Sequence, residues 1–167
     1  LSYSNKINIS IIRPATVCGL SPRMRLDVSV NMLSYQALKN RKITIFGGKQ
    51  IRPNIHIDDL VSLYILFLRN DKKYNGIFNA GFENISIANI AKKISKIIKS
   101  ELLFIKNTND LRSYRVDSSK LLKLGFRPKK NVRIGIQEIK DFYIKKGLKS
   151  VKKNSFSINW LKKSKKI

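Results

Sequence analysis

The pattern of hydrophobic and polar positions predicts strands mixed with helices. The clearest element is a helix capped by Ser86, because apolar residues recur at helical spacing and lysines occupy the opposite face. Its apolar positions are Ile87, Ile90, Ala91, Ile94, Ile97 and Ile98. Short alternating or apolar runs predict strands at Ile7–Ile12, Ile43–Phe46, Ile77–Gly81 and Leu102–Ile105.

Two further helices are predicted in the first half of the chain. Asp27 is placed to cap a helix whose apolar positions include Val28, Met32, Tyr35 and Leu38. Asp58 opens another helix, from Leu60 to Leu68, which is apolar almost all round and is therefore expected to be buried.

The second half of the chain carries two more helix signals. Residues 117–124 predict a short helix that ends at Gly125, with Pro128 beyond it as a stop signal. Asn131 is placed to cap a last helix that ends at Gly147. The fold class is therefore α/β, although the strands are few and show no repeating βαβ rhythm.

The amino-acid composition indicates a globular protein in a reducing compartment. The 167 residues have room for one compact domain, and 43% hydrophobic with 27% charged residues is an ordinary globular balance. A single cysteine, Cys18, excludes an internal disulfide and, with only one histidine, a Cys- or His-rich zinc site. No secretory pattern follows Leu1, where an initiator Met is also absent, so a cytoplasmic protein that starts further upstream is expected.

The charge raises the question of a polyanionic partner. Thirty-five Lys and Arg against 10 Asp and Glu give a net charge of +25, which attracts nucleic acid. However, lysines dominate and do not alternate with aromatic residues as a stacking platform requires. A solvated basic surface is the favoured interpretation, and a basic nucleic-acid-binding module stays as the alternative of a different class.

Four motifs together resemble a known family. They run over residues 13–19 (RPATVCG), 47–59 (GGKQIRPNIHIDD), 110–120 (DLRSYRVDSSK) and 124–128 (LGFRP). In this order and spacing they resemble the C-terminal half of extended short-chain dehydrogenase/reductases, in the NAD-dependent nucleotide-sugar epimerase/dehydratase branch that includes UDP-glucose 4-epimerase-like enzymes. The resemblance covers about residues 7–145.

The resemblance implies that successive segments of the chain have different functions. Residues 1–19 would end an NAD-binding Rossmann domain, residues 20–147 would form a small mixed α/β region that binds the nucleotide sugar, and residues 148–167 would be a basic, loosely ordered tail. NAD would be bound mainly by an upstream half, because neither a Gly-rich turn nor a Tyr-x-x-x-Lys pair precedes the Arg13 strand. The complete enzyme is expected to be a homodimer that acts through a keto-sugar, and this half alone is expected to be inactive.

The resemblance also assigns residues to a substrate site. Arg52 lies at the position that binds the diphosphate, a task for which the planar guanidinium is suited. Thr44 and Phe46 share one face of a strand that cradles the base, and Arg112 stands in for a phosphate Arg that is Asn107 here. The remaining substrate positions are Thr16, Asn31, Asp110 and Tyr114, and Pro14, Ala15 and Val17 would lie against the nicotinamide.

Other residues are interpreted as structural, and the reaction stays open. Cys18 is expected to be a buried thiol and His56 a satisfied histidine ahead of the Asp58 helix. Arg23 and Arg25 could reach an anionic sugar or face water. Epimerase and dehydratase are the favoured activities, with a related nucleotide-sugar reductase or decarboxylase as the alternative.

Overall fold

The protein is an α/β fold in which short parallel strands alternate with helices. A computed structural model describes residues 8–69, 74–106, 112–148 and 155–156. The strands in these ranges are β1 (Ser10–Pro14), β2 (Thr16–Cys18), β3 (Lys42–Phe46), β4 (Ile51–His56), β5 (Gly76–Ala80), β6 (Glu83–Ser86) and β7 (Glu101–Ile105). The helices are α1 (Ser29–Asn40), α2 (Ile57–Arg69), α3 (Ile87–Ile98), α4 (Ser119–Lys123) and α5 (Val132–Lys146).

The strands form three small sheets. β1 pairs in parallel with β5, and β3 pairs in parallel with β7. β4 lies between β2, which is parallel to it, and β6, which is antiparallel. Parallel pairing needs a crossover, which α2 and then α3 help to supply, so the α/β class expected from the sequence is confirmed.

Three apolar clusters hold these layers together. The first packs α1, α3 and α5 against β3, with Ile43, Ile45 and Ile90 fully buried. The second packs α2 and α4 against β5, around Leu63, Phe78 and Leu121. A smaller third cluster joins the loop before α1 to α5.

The predicted helix from Ser86 is confirmed in detail. The Ser86 hydroxyl oxygen accepts the Asn89 N–H at 3.2 Å, and Ile90, Ala91, Ile94 and Ile98 are buried. The last helix is confirmed as well, since the Asn131 side chain accepts the Ile134 N–H at 3.0 Å. A cap and a single apolar stripe are local signals, so both helices could be predicted without tertiary information.

The predicted burial of α2 is wrong. Leu60, Leu63 and Phe67 are buried, but the opposite face is exposed. That face carries Val61, Tyr64, Ile65 and Leu68, at 47%, 45%, 43% and 79% exposure, and is called the α2 stripe below. Within the described residues α2 packs through one side only, against residues of β2, β4 and β5.

The start of α1 also differs from the prediction. Val28 is the N-cap and has no side-chain cap, whereas Asp27 bonds the Arg25 Nε at 2.9 Å. The buried face is formed by Val30, Leu33 and Ala37, one or two positions away from the predicted apolar set. Because nearly every second residue here is apolar or small, helical spacing alone did not fix which face turns inward.

The buried imidazole of His56 joins three elements at the end of β4. The Asp58 N–H donates to His56 Nδ1 at 3.1 Å, so Nε2 carries the proton and donates to the Glu138 carboxylate on α5 at 3.0 Å. Lys130 bridges Glu138 and Asp58, and these carboxylates raise the pKa of its ammonium. The structural role expected for His56 is confirmed.

Gly19 lies against this imidazole and gives a test of the packing. Its φ is +104°, and an added Cβ would lie 2.7 Å from His56 Nε2. We expect Gly19→Ala to lower the free energy of unfolding by about 1–3 kcal/mol, from backbone strain and the clash together. Urea denaturation measures the change.

Gly125→Ala is the matched control for that substitution. Gly125 has a φ of +90° but no atom within 4 Å of an added Cβ, so it reports the backbone strain without the clash. An equal loss in both variants would contradict the role given to the His56 contact.

Candidate functional site

A cleft opens where the N-terminus of α1 faces the ends of β3 and the beginning of β4. Its volume is about 370 Å³. It is lined by side chains from the β2, α1, β3 and β4 regions, the first residue of α3 and the 112–114 segment, namely Thr16, Asp27, Val28, Ser29, Met32, Leu33, Thr44, Ile45, Phe46, Gln50, Arg52, Ile87, Arg112 and Tyr114. Six of the residues that the sequence predicted to bind the substrate therefore line this one cleft.

Arg52 lies in the wall of the cleft with its guanidinium already oriented. Its Nη1 donates to the carbonyl of Ile51 at 3.0 Å and to the carbonyl of Arg112. The guanidinium carbon also lies 5.9 Å from the centre of the Tyr114 ring. These contacts restrict the long side chain, which lowers the entropy lost when it binds an anion.

The 112–114 segment is fastened to the start of β4. The Ile51 N–H donates to Ser113 Oγ at 3.0 Å, and the Tyr114 N–H donates to the Ile51 carbonyl at 3.4 Å. Arg112 and Tyr114 thereby reach the same cleft as Arg52, although 60 residues separate the two arginines.

Two aromatic rings stand at the open edge of the cleft. Phe46 is 54% exposed and Tyr114 is 49% exposed. Thr44 lies two residues before Phe46 on β3, so both side chains point to the same face, while Ile43 and Ile45 fill the core behind them. Exposed rings beside fixed cations can stack on a planar group.

Asn31 is the predicted substrate residue that the structure turns away from the cleft. It is 2% exposed, its Oδ1 accepts the Gly19 N–H at 3.2 Å, and its Nδ2 donates to the Arg25 carbonyl at 3.0 Å. The amide therefore fastens the loop before α1. Val28 and Ser29, up to one turn earlier, line the cleft instead.

The residues predicted to contact the cofactor lie outside the cleft. One residue predicted to bind the substrate lies outside the described ranges. Pro14 is exposed at the end of β1, whereas Ala15 and Val17 are half-buried against the second cluster. Asp110, like Asn107, is outside the described residues.

Sequence reasoning missed several cleft residues. Ser29 Oγ is buried at the cleft and has no hydrogen-bond partner among the described residues, and no acidic residue or side-chain cap occupies the first turn of α1. Gln50 accepts the Gly48 N–H at 2.6 Å and donates to the Phe46 carbonyl, which shapes the rim. A Ser in the first turn of a helix is a common residue, so only tertiary structure reveals its position.

These groups make the cleft suited to an anion. Arg52 and Arg112 contribute two cations, and the N-terminal N–H groups of α1 add partial positive charge. The one carboxylate in the lining, Asp27, is bonded to Arg25.

Comparison with known proteins identifies the family. The sequence profile of the NAD dependent epimerase/dehydratase family matches residues 1–81. An ADP-L-glycero-D-manno-heptose-6-epimerase of Brachyspira hyodysenteriae is 33% identical over an alignment of 122 positions, which covers 67% of this chain and 38% of that protein. A human dTDP-D-glucose 4,6-dehydratase is 31% identical over an alignment of 154 positions, which covers 83% of this chain and 42% of that protein. The chain belongs to the NAD-dependent epimerase/dehydratase family.

Solved structures of the family have the same fold. The UDP-glucuronic acid 4-epimerase of Bacillus cereus, in complex with UDP-glucuronic acid and NAD, superposes with a TM-score of 0.68 at 31% identity over 84% of this chain and 48% of that chain. The UDP-glucose 4-epimerase of Thermus thermophilus shares the fold at 19% identity, with a TM-score of 0.71. The chain thus spans between about two fifths and half of the length of these relatives.

The described residues do not contain the phosphate-binding part of an NAD site. The diphosphate of NAD needs a Gly-rich turn that opens a helix, but Gly47-Gly48 leads into β4 and Gly81 leads into β6. Pro14 is exposed at the carboxyl end of β1, a parallel strand, and ligands of open α/β sheets bind outside such strand ends.

A Tyr-x-x-x-Lys spacing does occur on α1, but it lies outside the cleft. Tyr35 packs against Tyr143 and Phe156, and the Lys39 ammonium lies 5.9 Å from the Tyr35 ring. This pair belongs to the third cluster. In the described part of the chain no group of three or more potential metal ligands occurs, and no helix there is long and apolar enough to cross a membrane.

Cys18 is buried in the first apolar cluster and is unsuited to nucleophilic chemistry. It is 1% exposed, and burial, together with the Glu83 carboxylate, raises the pKa of its thiol to about 12. The structural role predicted for this cysteine is confirmed.

The raised pKa makes the stability depend on pH in the alkaline range. The unfolded thiol ionises near pH 9.0, whereas the folded thiol keeps its proton to about 12, so its contribution is complete below pH 9.0 and is lost above it. We expect the stability difference between wild type and Cys18→Ala to shrink from about pH 8 to about pH 11. Urea denaturation at several pH values measures it, and a difference that stays constant would contradict the prediction.

Proposed function

We propose that this chain binds the nucleoside diphosphate part of a nucleotide sugar, as the substrate-binding portion of an NAD-dependent epimerase or dehydratase. The observation that carries the proposal is the cleft in which Arg52, Arg112 and the uncapped N-terminus of α1 converge. An anion there would meet a guanidinium fork, a second cation and backbone N–H groups at once.

The diphosphate is assigned to the cationic side of this cleft. Arg52 is held by two carbonyls beside the cleft, so its guanidinium can reach phosphate oxygens without a large reorganisation of the side chain. Ser29 contributes a buried hydroxyl that is suited to a third hydrogen bond. The Arg112 side chain, which is exposed, supplies a second positive charge in the lining.

The base and the sugar are assigned to the polar and aromatic side of the cleft. Phe46 and Tyr114 present exposed rings on which a base or ribose can pack, and Thr44 offers a hydroxyl on the same face as Phe46. Thr16, at the carboxyl side of β1, is the lining residue nearest in sequence to the Pro14 cofactor wall, so the sugar is placed there.

The reaction requires a second half that binds NAD, and two surfaces support its docking here. β1 and β5 form a parallel sheet of two strands in the described residues, whereas parallel sheets are typically larger and covered on both faces. The α2 stripe lies on the outer side of the helix that covers this sheet. In the relatives this part of the fold is within proteins about twice as long.

The role of this chain in the chemistry is orientation. NAD, when bound, supplies a reversible hydride acceptor for a sugar carbon. Arg52 and Arg112 neutralise the diphosphate and fix its position, and the aromatic pair fixes the base, so the sugar is held at a defined distance from the cofactor wall. These residues do not distinguish epimerisation, dehydration, reduction or decarboxylation, which share a keto-sugar.

Arg52→Ala tests the phosphate site directly. We expect the affinity for UDP or dTDP to fall by about 1.5–3 kcal/mol, because a charge-assisted hydrogen bond to phosphate is lost. Arg52→Lys should recover only part of it, since a Lys keeps the charge but not the fork. Isothermal titration calorimetry on the full chain measures the affinities.

Arg127→Ala is the matched control, since Arg127 also donates to two backbone carbonyls, those of Leu122 and Phe126, and does not line the cleft. Its affinity should equal that of the wild type. An unchanged affinity in Arg52→Ala would remove Arg52 from the site.

NAD binding tests the proposed division between the two halves. We expect no saturable binding of NADH by this chain, because the described residues do not contain the Gly-rich turn that the phosphates of NAD need. Fluorescence titration with NADH measures it. A stoichiometric curve in the micromolar range would show that the cofactor site is contained in this chain.

A further inference from the structure

Two residues of the basic C-terminal segment lie against the loop that leads into the cleft. The Leu26 N–H donates to the Ser155 carbonyl at 2.7 Å, and Ser155 is only 6% exposed. The Phe156 ring meets the Tyr35 ring edge-on, with centroids 5.9 Å apart. Thus this part of a segment that was expected to be loosely ordered is in contact with the body of the protein.

The contact completes the third apolar cluster. Met24 and Leu26 from the loop pack with Ile139 and Tyr143 from α5, and Phe156 covers them from the outside. A small cavity of about 50 Å³ remains between Ser155, the loop and α5. This cluster shares no buried residue with the two larger cores, although Leu38 packs against both it and the first core. Because it is the smallest of the three, we expect it to open locally more readily than they do.

The loop over residues 20–27 ends directly at the cleft wall. Asn31 fastens its beginning, through the Gly19 N–H, and its later part, through the Arg25 carbonyl. Leu26 is fastened by Ser155, and the next three residues, Asp27, Val28 and Ser29, line the cleft. Because Val28 has no side-chain cap, the position of this wall depends on how the loop before it is held.

We propose that Ser155 and Phe156 form a clasp that positions the Asp27–Ser29 wall of the cleft for its ligand. The ligand in this statement is the nucleoside diphosphate of the proposed function. Phe156 is a positioning residue, because it touches Tyr35 and the loop cluster and does not line the cleft. Its removal frees Leu26 and lets the wall shift relative to Arg52.

The test compares wild type, Phe156→Ala and Phe156→Leu, with Leu122→Ala as an exposed apolar control. Hydrogen exchange is followed in the peptides that cover residues 20–29 and 87–98, and UDP affinity is measured by calorimetry well below the Tm of every variant. For Phe156→Ala we expect faster exchange in 20–29 alone and a UDP Kd raised about three- to thirty-fold. Phe156→Leu, which keeps an apolar side chain, should recover most of both properties, and Leu122→Ala should match the wild type.

Two outcomes would overturn the clasp. One is a Kd in Phe156→Ala within about two-fold of the wild type although the loop exchanges faster. The other is exchange that rises equally in 20–29 and 87–98, which would make Phe156 an ordinary core residue. If Phe156→Ala does not fold, the same two comparisons are made on Phe156→Val, which fills less of the third cluster than Phe156→Leu.

A failure of the proposed function is distinguished from a failure of the clasp. If wild-type protein does not bind UDP, the nucleotide proposal fails. The exchange data still decide whether Phe156 holds the loop, since they need no ligand.

Discussion

The structure depends on how β4 is held at its two ends. At its start, Arg52 is oriented into the cleft by backbone carbonyls of Ile51 and Arg112. At its end, the buried imidazole of His56 accepts the Asp58 N–H and donates to Glu138 on α5, across 82 residues of sequence. Between these ends β4 pairs with both β2 and β6. A shift of β4 would therefore change the cleft and the packing of α2 and α5 together.

Some of the few acidic residues serve as internal hydrogen-bond acceptors. Both oxygens of the buried Asp59 accept N–H groups, from Lys129 and Lys130, at 2.9 Å, and Glu83 accepts the Val132 N–H at the start of α5. The 35 cations of the chain outnumber its 10 carboxylates more than threefold, and Asp59 and Glu83 are already engaged by backbone N–H groups. The strong positive charge of the chain is then a property of its whole surface and does not by itself mark a site.

Local signals could be predicted from the sequence, and burial on a second face could not. Caps such as Ser86 and Asn131, with a single apolar stripe, specify a helix within a dozen residues. The apolar residues of the α2 stripe predict a buried position, yet whether the stripe is buried depends on which elements cover it.

The site shows the same division between local and tertiary information. The motif around Arg52 predicted a residue that does line the cleft, and Thr44 and Phe46 followed from alternation along β3. Asn31 and Ser29 differ by only two positions on α1, and helical rotation sends one to the loop and the other to the cleft. No periodic sequence pattern predicts the contact made by Ser155 and Phe156, since it consists of one backbone hydrogen bond and the packing of one aromatic ring.

Specific recognition of the proposed nucleotide ligand by so basic a chain would have to come from geometry. A net charge of +25 attracts any anion, but this long-range field is screened beyond about 8–10 Å at physiological salt. Inside the cleft the donors are fixed: Arg52 by carbonyls, the 112–114 segment by Ser113, and the α1 wall by Asn31 and the clasp. Fixed donors bind an anion tightly when its oxygens match their spacing. An anion that does not match leaves some donors without a hydrogen bond, so the cleft discriminates between anions in a way that charge alone cannot. Selectivity in this protein should therefore follow the rigidity of the cleft, and the surface charge should govern only the rate of encounter.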